Sequence, residues 1–418
     1  MIAYTRPRQR AKIVLCQAHR KGKDNSVVIL MIPNNHIILL QNGEAYFSAI
    51  EAAFDRAEYE IYLESYIFEN DITGLRIADA LRRAASRGVK AHVLIDGFGS
   101  KRLPKTMVDY IEAAGVIVLK FRPKTSPWTF RRRRLRRLHR KVVVVDRKIA
   151  FVGGININDD MDVPGQTSIR HDYAVSVEGP LVEEIYNSTR RVWARVAWFR
   201  MLPGRGRDNY RQIPSALSRG LMRASFLIRD NIRHRRDIED AYLLAIEQAQ
   251  FEIILANAYF FPGLNFRHAL LNAAERGVRV VLLLQGKMDY RLLHYASHAL
   301  YGFLLDAGIE IYEYHKSMMH AKVAVIDEHW ATVGSSNLDP LSLLLSLEAN
   351  VVVDDENFAK ELKYSLEQAI KVGARRISER KWASQAIRLR LASWLSYGVV
   401  RFMTGIAGYA PGDPSDHA

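Results

Sequence analysis

LHRKVVVVDRKIAFVGGININ, residues 138–158, and MHAKVAVIDEHWATVGSSNLD, residues 319–339, are two versions of one pattern. Each holds His-x-Lys, an apolar run (Val142 to Val145, Val323 to Ile326), an Asp and a small-residue turn with an Asn. A short apolar run with such borders reads as a buried strand. The correspondence continues outward. AYFSAIEAAFDRAEYEIYLESYIF (45–68) aligns with AYLLAIEQAQFEIILANAYFF (241–261). Both open with apolar residues spaced three and four apart, the period of a helix, and pass into the near-alternation of a strand. ADALRRAASRGVKAHVLID (78–96) aligns with HALLNAAERGVRVVLLLQ (268–285): a helix, a capping Gly88 or Gly277, then a buried strand. AAGVIV (113–118) and DAGIEI (306–311) repeat the glycine stop and strand.

A repeat of this kind predicts an α/β fold of two homologous halves, each with a largely buried sheet and flanking helices. The halves are expected at 36–200 and 236–370. A basic extension (1–35) precedes them, a basic linker (201–235) joins them, and a basic amphipathic tail (371–418) follows. The first half carries an insertion ahead of its motif, with Arg131 to Arg134, Arg136 and Arg137, placed to rim the site.

The chain has 418 residues, 49% hydrophobic and 25% charged, which excludes a mainly disordered or low-complexity protein. Lys and Arg number 60 against 45 Asp and Glu, a net charge of +15, so polyanionic partners are favoured: nucleic acid, an anionic membrane or phosphate-bearing substrates. The single cysteine, Cys16, excludes an intrachain disulfide and a thiolate metal cluster. There is no run of 18 apolar residues, so no transmembrane helix is expected. The basic N-terminal stretch lacks the unbroken apolar core of a secretory signal.

The chemistry sits in the two motifs. On a strand, residues two apart share a face, so His139 projects with Lys141 and His320 with Lys322. Asp146 and Asp327 have the opposite parity and lie at the far end, where they suit the turn better than the reaction. Two imidazoles, two ammoniums and the amides of Asn156 and Asn337 converging at one seam suit a phosphodiester. The cations and amides offset charge on the phosphoryl oxygens, one imidazole attacks phosphorus, and the other protonates the departing alkoxide. An acid should orient each ring, and Asp172 and Glu348 stand downstream of the motif in the first and second copy. Glu64 and Tyr259, at strand ends, are further candidates for the pocket wall. His92, His268, His294, His298 and His315 read as structural. A metal site is disfavoured, because the motif lysines would repel a cation and ligand carboxylates are not clustered.

These paired motifs resemble the phospholipase D superfamily. NGEAYFSAI, EIYLESYIF, GVKAHVLIDGFGS, MHAKVAVID and IRDNIRHRRDIEDAYLLAI narrow the resemblance to bacterial cardiolipin synthases of the shorter type without N-terminal transmembrane helices. It covers about residues 36–370. It implies two phospholipase D-like α/β halves, each a mixed sheet flanked by helices, related by a pseudo-twofold with one shared active site, a covalent phosphohistidine, no metal or other cofactor, and transfer of a phosphatidyl group to phosphatidylglycerol from a donor such as phosphatidylglycerol or phosphatidylethanolamine. The matching positions are His139, Lys141, Asp146, Asn156, His320, Lys322, Asp327 and Asn337, with Glu348 as an orienting acid. Asp172 is the first copy's counterpart at a spacing five residues longer. The superfamily's habit makes His139 the nucleophile and His320 the acid. It also implies a peripheral protein of the bacterial cell membrane, on the cytoplasmic face. A nuclease of the superfamily and a non-catalytic membrane scaffold are the rival readings. The matches outside the motif disfavour nucleic acid, and intact motifs in both halves disfavour the scaffold.

The tail KWASQAIRLRLASWLSYGVVRFMTG (381–405) places Ile387, Leu391, Trp394, Leu395, Val399 and Phe402 on one helical face, with Arg388 intruding. Residues 371–401 hold eight Lys or Arg and one acid, Glu379. That composition predicts a helix lying in a bilayer interface; the competing expectation is a helix packed on the enzyme's own core.

Overall fold

The computed structural model describes residues 29–123, 136–161, 169–199, 217–230, 233–287, 291–339, 346–378 and 387–406. The arginines at 131–134 and most of the expected linker and N-terminal extension lie outside these residues.

The first half supplies strands β1 (Ile32–Gln41), β2 (Glu60–Ser65), β3 (Lys90–Asp96), β4 (Ile117–Phe121), β5 (Arg137–Leu138), β6 (Val142–Val145), β7 (Ile149–Gly153) and β8 (Tyr173–Glu178). The second supplies β9 (Met222–Arg229), β10 (Glu252–Asn257), β11 (Arg279–Gln285), β12 (Glu310–Tyr314), β13 (Lys322–Ile326), β14 (Trp330–Gly334), β15 (Ser346–Asp354) and β16 (Ala374–Ile377). They form one sheet in the order β16-β12-β11-β10-β13-β14-β15-β9-β1-β8-β7-β6-β2-β3-β4, with β5 off this path beside β15. Apart from β16, the order reads the same from either end outward, with the antiparallel β1–β9 pair at its centre. That is the pseudo-twofold the resemblance implies. Within each half the β2–β3–β4 and β10–β11–β12 ladders are parallel, joined through helices, while the motif strands β6 and β13 run antiparallel to β2 and β10.

Helices cover the sheet: α1 (Asn42–Asp55), α2 (Ile72–Ser86), α3 (Lys105–Glu112) and α4 (Leu181–Phe199) in the first half, α5 (Asp237–Gln248), α6 (Leu264–Glu275), α7 (Arg291–His298), α8 (Tyr301–Asp306) and α9 (Glu356–Gly373) in the second, then α10 (Ile387–Ile406). The stops read from sequence sit where a left-handed residue is needed: Gly88 and Gly277, just past α2 and α6, have φ of 91° and 87°. One hydrophobic cluster lies wholly in each half. A third joins Val142, Val144 and Val175 to Val323, Val351 and Leu362, so the two halves share a core.

Three boundaries differ from the expected ones. β9 lies inside the expected linker, β1 begins inside the expected extension, and β16 adds an edge strand inside the expected tail. In β9 the buried Ala224, Ser225, Phe226 and Arg229 sit among arginines that hide the apolar signal, and tertiary pairing with β1 and β15 makes the strand.

Candidate active site

Each motif histidine stands just ahead of its strand and is fastened by backbone to the other half. β5 pairs in parallel with the start of β15, and the His139 N–H donates to the Leu347 carbonyl at 3.0 Å. In the mirror position, His171 bridges Met319, and the His320 N–H donates to the His171 carbonyl at 2.8 Å. The side chains repeat the crossing. Nδ1 of His139 lies 3.0 Å from both carboxylate oxygens of Glu348, and Nδ1 of His320 lies 2.8 Å from Oδ2 of Asp172. So each half's acid orients the other half's imidazole. Fixing Nδ1 in this way leaves Nε2 of each ring for chemistry.

The unequal spacing of the two acids has a simple cause. Gly153 pairs with Ala174, and Gly334 with Asn350, so Asp172 and Glu348 occupy the same position two residues earlier on β8's and β15's approach. The extra length falls in the loop between the paired strands. The acids are held differently. Glu348 accepts from Ser335 Oγ at 2.6 Å, while Asp172 accepts from the Tyr173 N–H at 2.8 Å. Ser335's counterpart is Gly154, where a Cβ would lie 2.3 Å from Asp172 Oδ1, so the shorter acid needs glycine there.

Lys141 and Lys322 are buried, and each donates from Nζ to the carbonyl of the histidine two residues before it, at 2.7 Å for Lys141. Burial pulls Lys141 down to about 7, against the counter-pull of Glu348, with Lys322 adding repulsion. Burial likewise lowers Lys322 to about 8, offset by Asp172 and Glu348. Burial also lowers both histidines. Glu348 offsets part of this at His139, whereas Lys322, Lys141 and Arg170 push His320 well below the ordinary imidazole value. Lys141, Lys322 and Arg170 thus converge on two rings that burial keeps neutral, an arrangement that favours an anionic ligand.

Asn156 and Asn337 follow their turns and are buried; Asn156 Oδ1 accepts the Ile67 N–H at 3.2 Å. Asp146 and Asp327, grouped with the catalytic motif by the resemblance, are not in the site. They lie at the opposite ends of β6 and β13, with φ of 51° and 50°. Asp146 accepts the backbone N–H groups of Glu58, Tyr59 and Glu60, each at 2.8 Å. Asp327 does the same for Gln250, Phe251 and Glu252 at 2.8–2.9 Å. Their opposite parity and a strand's length of separation put them on the turn and the entry to β2 and β10.

Of the two wall candidates, Glu64 turns away to a buried ion pair with Arg140 at 2.9 Å. Tyr259 lines a separate small cavity with Gln285, His294 and His298. The wall at His139 is instead Tyr66, whose ring meets the imidazole edge-on at 4.8 Å and lies 5.4 Å from Lys141 Nζ. Asp96, also unexpected, is fully buried and accepts the Leu138 N–H at 2.8 Å, fixing the chain immediately before His139. Both follow their strand by a step or end it, and no periodic signal distinguishes them from core residues.

The profile described as "Cardiolipin synthase, PLD-like domain" matches residues 50–193 and again 242–370. Cardiolipin synthase B of Shigella flexneri is 38% identical over 387 residues, 90% of each chain. The Salmonella typhimurium cardiolipin synthase B is 39% identical over 382 residues, again 90% of each. The cardiolipin synthase of Geobacillus kaustophilus is 31% identical over 75% of this chain and 61% of its own. Among solved structures, the phosphatidylserine synthase of Haemophilus influenzae superposes with a TM-score of 0.66 at 14% identity, covering 90% of this chain and 96% of its own, which shows the common fold. Two copies of the profile and these relatives place the chain in the phospholipase D-like cardiolipin synthase family.

Proposed function

We propose that this protein is a cardiolipin synthase, a phosphatidyltransferase that joins a donor phospholipid to phosphatidylglycerol through a phosphohistidine. The observation that carries the reading is the crossed pair of imidazole–carboxylate dyads, enclosed by two buried lysines. In the first step, His139 Nε2 forms a bond to phosphorus and the bond to the headgroup oxygen breaks, with a proton from His320 passing to that oxygen. In the second step, His320 takes the proton of a phosphatidylglycerol hydroxyl, whose oxygen bonds to phosphorus while the bond to His139 breaks. Lys141, Lys322 and the two Asn amides neutralise the phosphoryl oxygens throughout. Burial, reinforced by Lys322, Lys141 and Arg170, holds His320 well below the ordinary imidazole value and so neutral. A phosphodiester entering among them offsets that field, so proton uptake by His320 accompanies substrate binding.

The fold and motif serve hydrolysis and transfer alike. The relatives' activity, the basic surface and the apolar helix discussed below favour transfer between lipids at a membrane surface. Purified protein incubated with phosphatidylglycerol, or with a mixture that includes phosphatidylethanolamine, is expected to yield cardiolipin by mass spectrometry without added divalent metal. His139→Ala and His320→Ala should each lower turnover by at least about a thousandfold. Retention of substantial activity by either variant, or formation of phosphatidic acid alone, contradicts the proposal.

A further inference from the structure

α10 (Ile387–Ile406) presents two unlike faces. Ser393 and Val400 are each only 2% exposed, and Tyr397 is half-buried, its ring 5.4 Å from that of Phe261. This stripe packs onto α7 and the second-half core, where Val400 belongs to the hydrophobic cluster. The opposite stripe is apolar and open: Leu391 is 59% exposed, Trp394 59%, Leu395 62%, Val399 47% and Phe402 69%. At 100° per residue these five fall within one broad arc, and Ser393 and Val400 fall opposite it. Packing on the enzyme's own core therefore occupies the narrow Ser/Tyr/Val side, and leaves the wide apolar side without a partner among the described residues.

Two occupants could cover that side: a second copy of this chain or a lipid surface. Charge decides between them. Arg401 lies on the helix beside the apolar arc, and Lys371, Arg375 and Arg376 are exposed on the segment leading to it. Eight Lys or Arg and one acid occupy 371–401. A twofold contact through this face would bring these like charges together, whereas an anionic bilayer supplies the opposite charge along with apolar depth.

We infer that α10 is the surface by which the protein docks on an anionic phospholipid bilayer, its Leu391–Phe402 face entering the interface while its Ser393–Val400 face stays anchored on α7. The inference shares with the proposed activity only the choice of lipid as occupant. Its test reads binding rather than turnover, so the two can fail separately.

The experiment compares the full chain with Leu391→Glu/Leu395→Glu in co-sedimentation with vesicles of phosphatidylglycerol and phosphatidylcholine. Both leucines are exposed, so the fold tolerates the change. The variant is expected to lose roughly a hundredfold in vesicle affinity, the worth of two buried leucine side chains. It should keep its turnover on short-chain phosphatidylglycerol dispersed in detergent. Wild-type binding should weaken with added salt. Unchanged vesicle binding overturns the inference, as does a loss of self-association with vesicle binding intact, which would assign the face to a second copy. A second measurement is independent of the double variant's folding. Leu395→Cys with Cys16→Ser, carrying an environment-sensitive dye, should shift to shorter wavelength on vesicles, and Glu356→Cys labelled likewise should not. Equal response at the two positions would also overturn it.

Discussion

Burial weakens the hold of Lys141 and Lys322 on their protons, and that sets the pH range of the site. Their charged forms bind phosphate and are lost as pH rises through about 7 and about 8. His139 must be neutral to attack, and burial, which lowers its value, keeps it so at neutral pH. kcat/KM should therefore fall on the alkaline side near these lysine values. The alkaline limb of kcat should lie higher, because bound phosphate raises both lysines. Coincident limbs in the two profiles would show that the lysines do not meet the phosphate. The acids give a second residue-scale expectation. Glu348→Gln keeps the shape but supplies no charge to the His139 dyad, and should cost about a hundredfold or more in kcat. Ser335→Ala removes the 2.6 Å bond to Glu348 and the Oγ contacts with the Ala349 backbone but keeps the carboxylate, and should cost less. The opposite ranking would make Ser335, not the carboxylate, the main support of the ring.

At the scale of the element, β6 and β13 separate chemistry from scaffolding along a single strand. The His-Lys end faces the seam, and the Asp end collects three backbone N–H groups. Asp146→Ala should therefore lower stability by about 3 kcal/mol, from three charge-assisted bonds lost, one of them to the buried Glu60 N–H. Per folded molecule, turnover should remain near wild type, which chemical denaturation and active-site titration together would check. This much was legible in the residues: strand parity alone sets Asp146 and Asp327 apart from their histidines. The pairing of acids was not. Glu348 and His139 are 209 positions apart and Asp172 and His320 are 148 apart, and nothing local records which acid meets which ring. The crossing depends on β5, two residues long, and on one isolated bridge at His171, both too short to leave a periodic signal. Glu64 illustrates the same limit. Its strand position is near the site, yet the buried Arg140 draws it to the other face, and Tyr66 takes the wall.

For the whole molecule, the central β1–β9 pair and the hydrophobic cluster common to both halves make the repeat one cooperative unit. Thermal unfolding in detergent-free buffer should give a single transition by far-UV and by tryptophan signals, although two homologous halves are present. Two separated transitions would mean that the common cluster contributes little. The repeat itself was plain from the sequence, as were its helices, its glycine stops and the α/β class. The strands nearest the twofold, β1 and β9, were the least legible, because arginines and polar residues flank them and each takes one of its two partners from the opposite half.

The crossed dyads also bear on how the protein is made. Synthesis runs from the N-terminus, so His139 leaves the ribosome long before Glu348, and the last strand of the site, β15, is translated after nearly all the rest. A nascent first half carries a histidine with no carboxylate to orient it, and an Asp172 with no histidine to hold. It is inert toward the phospholipids of the cell that is building it. The enzyme thus becomes able to break phosphodiester bonds only once the chain is nearly finished and both halves have closed on each other.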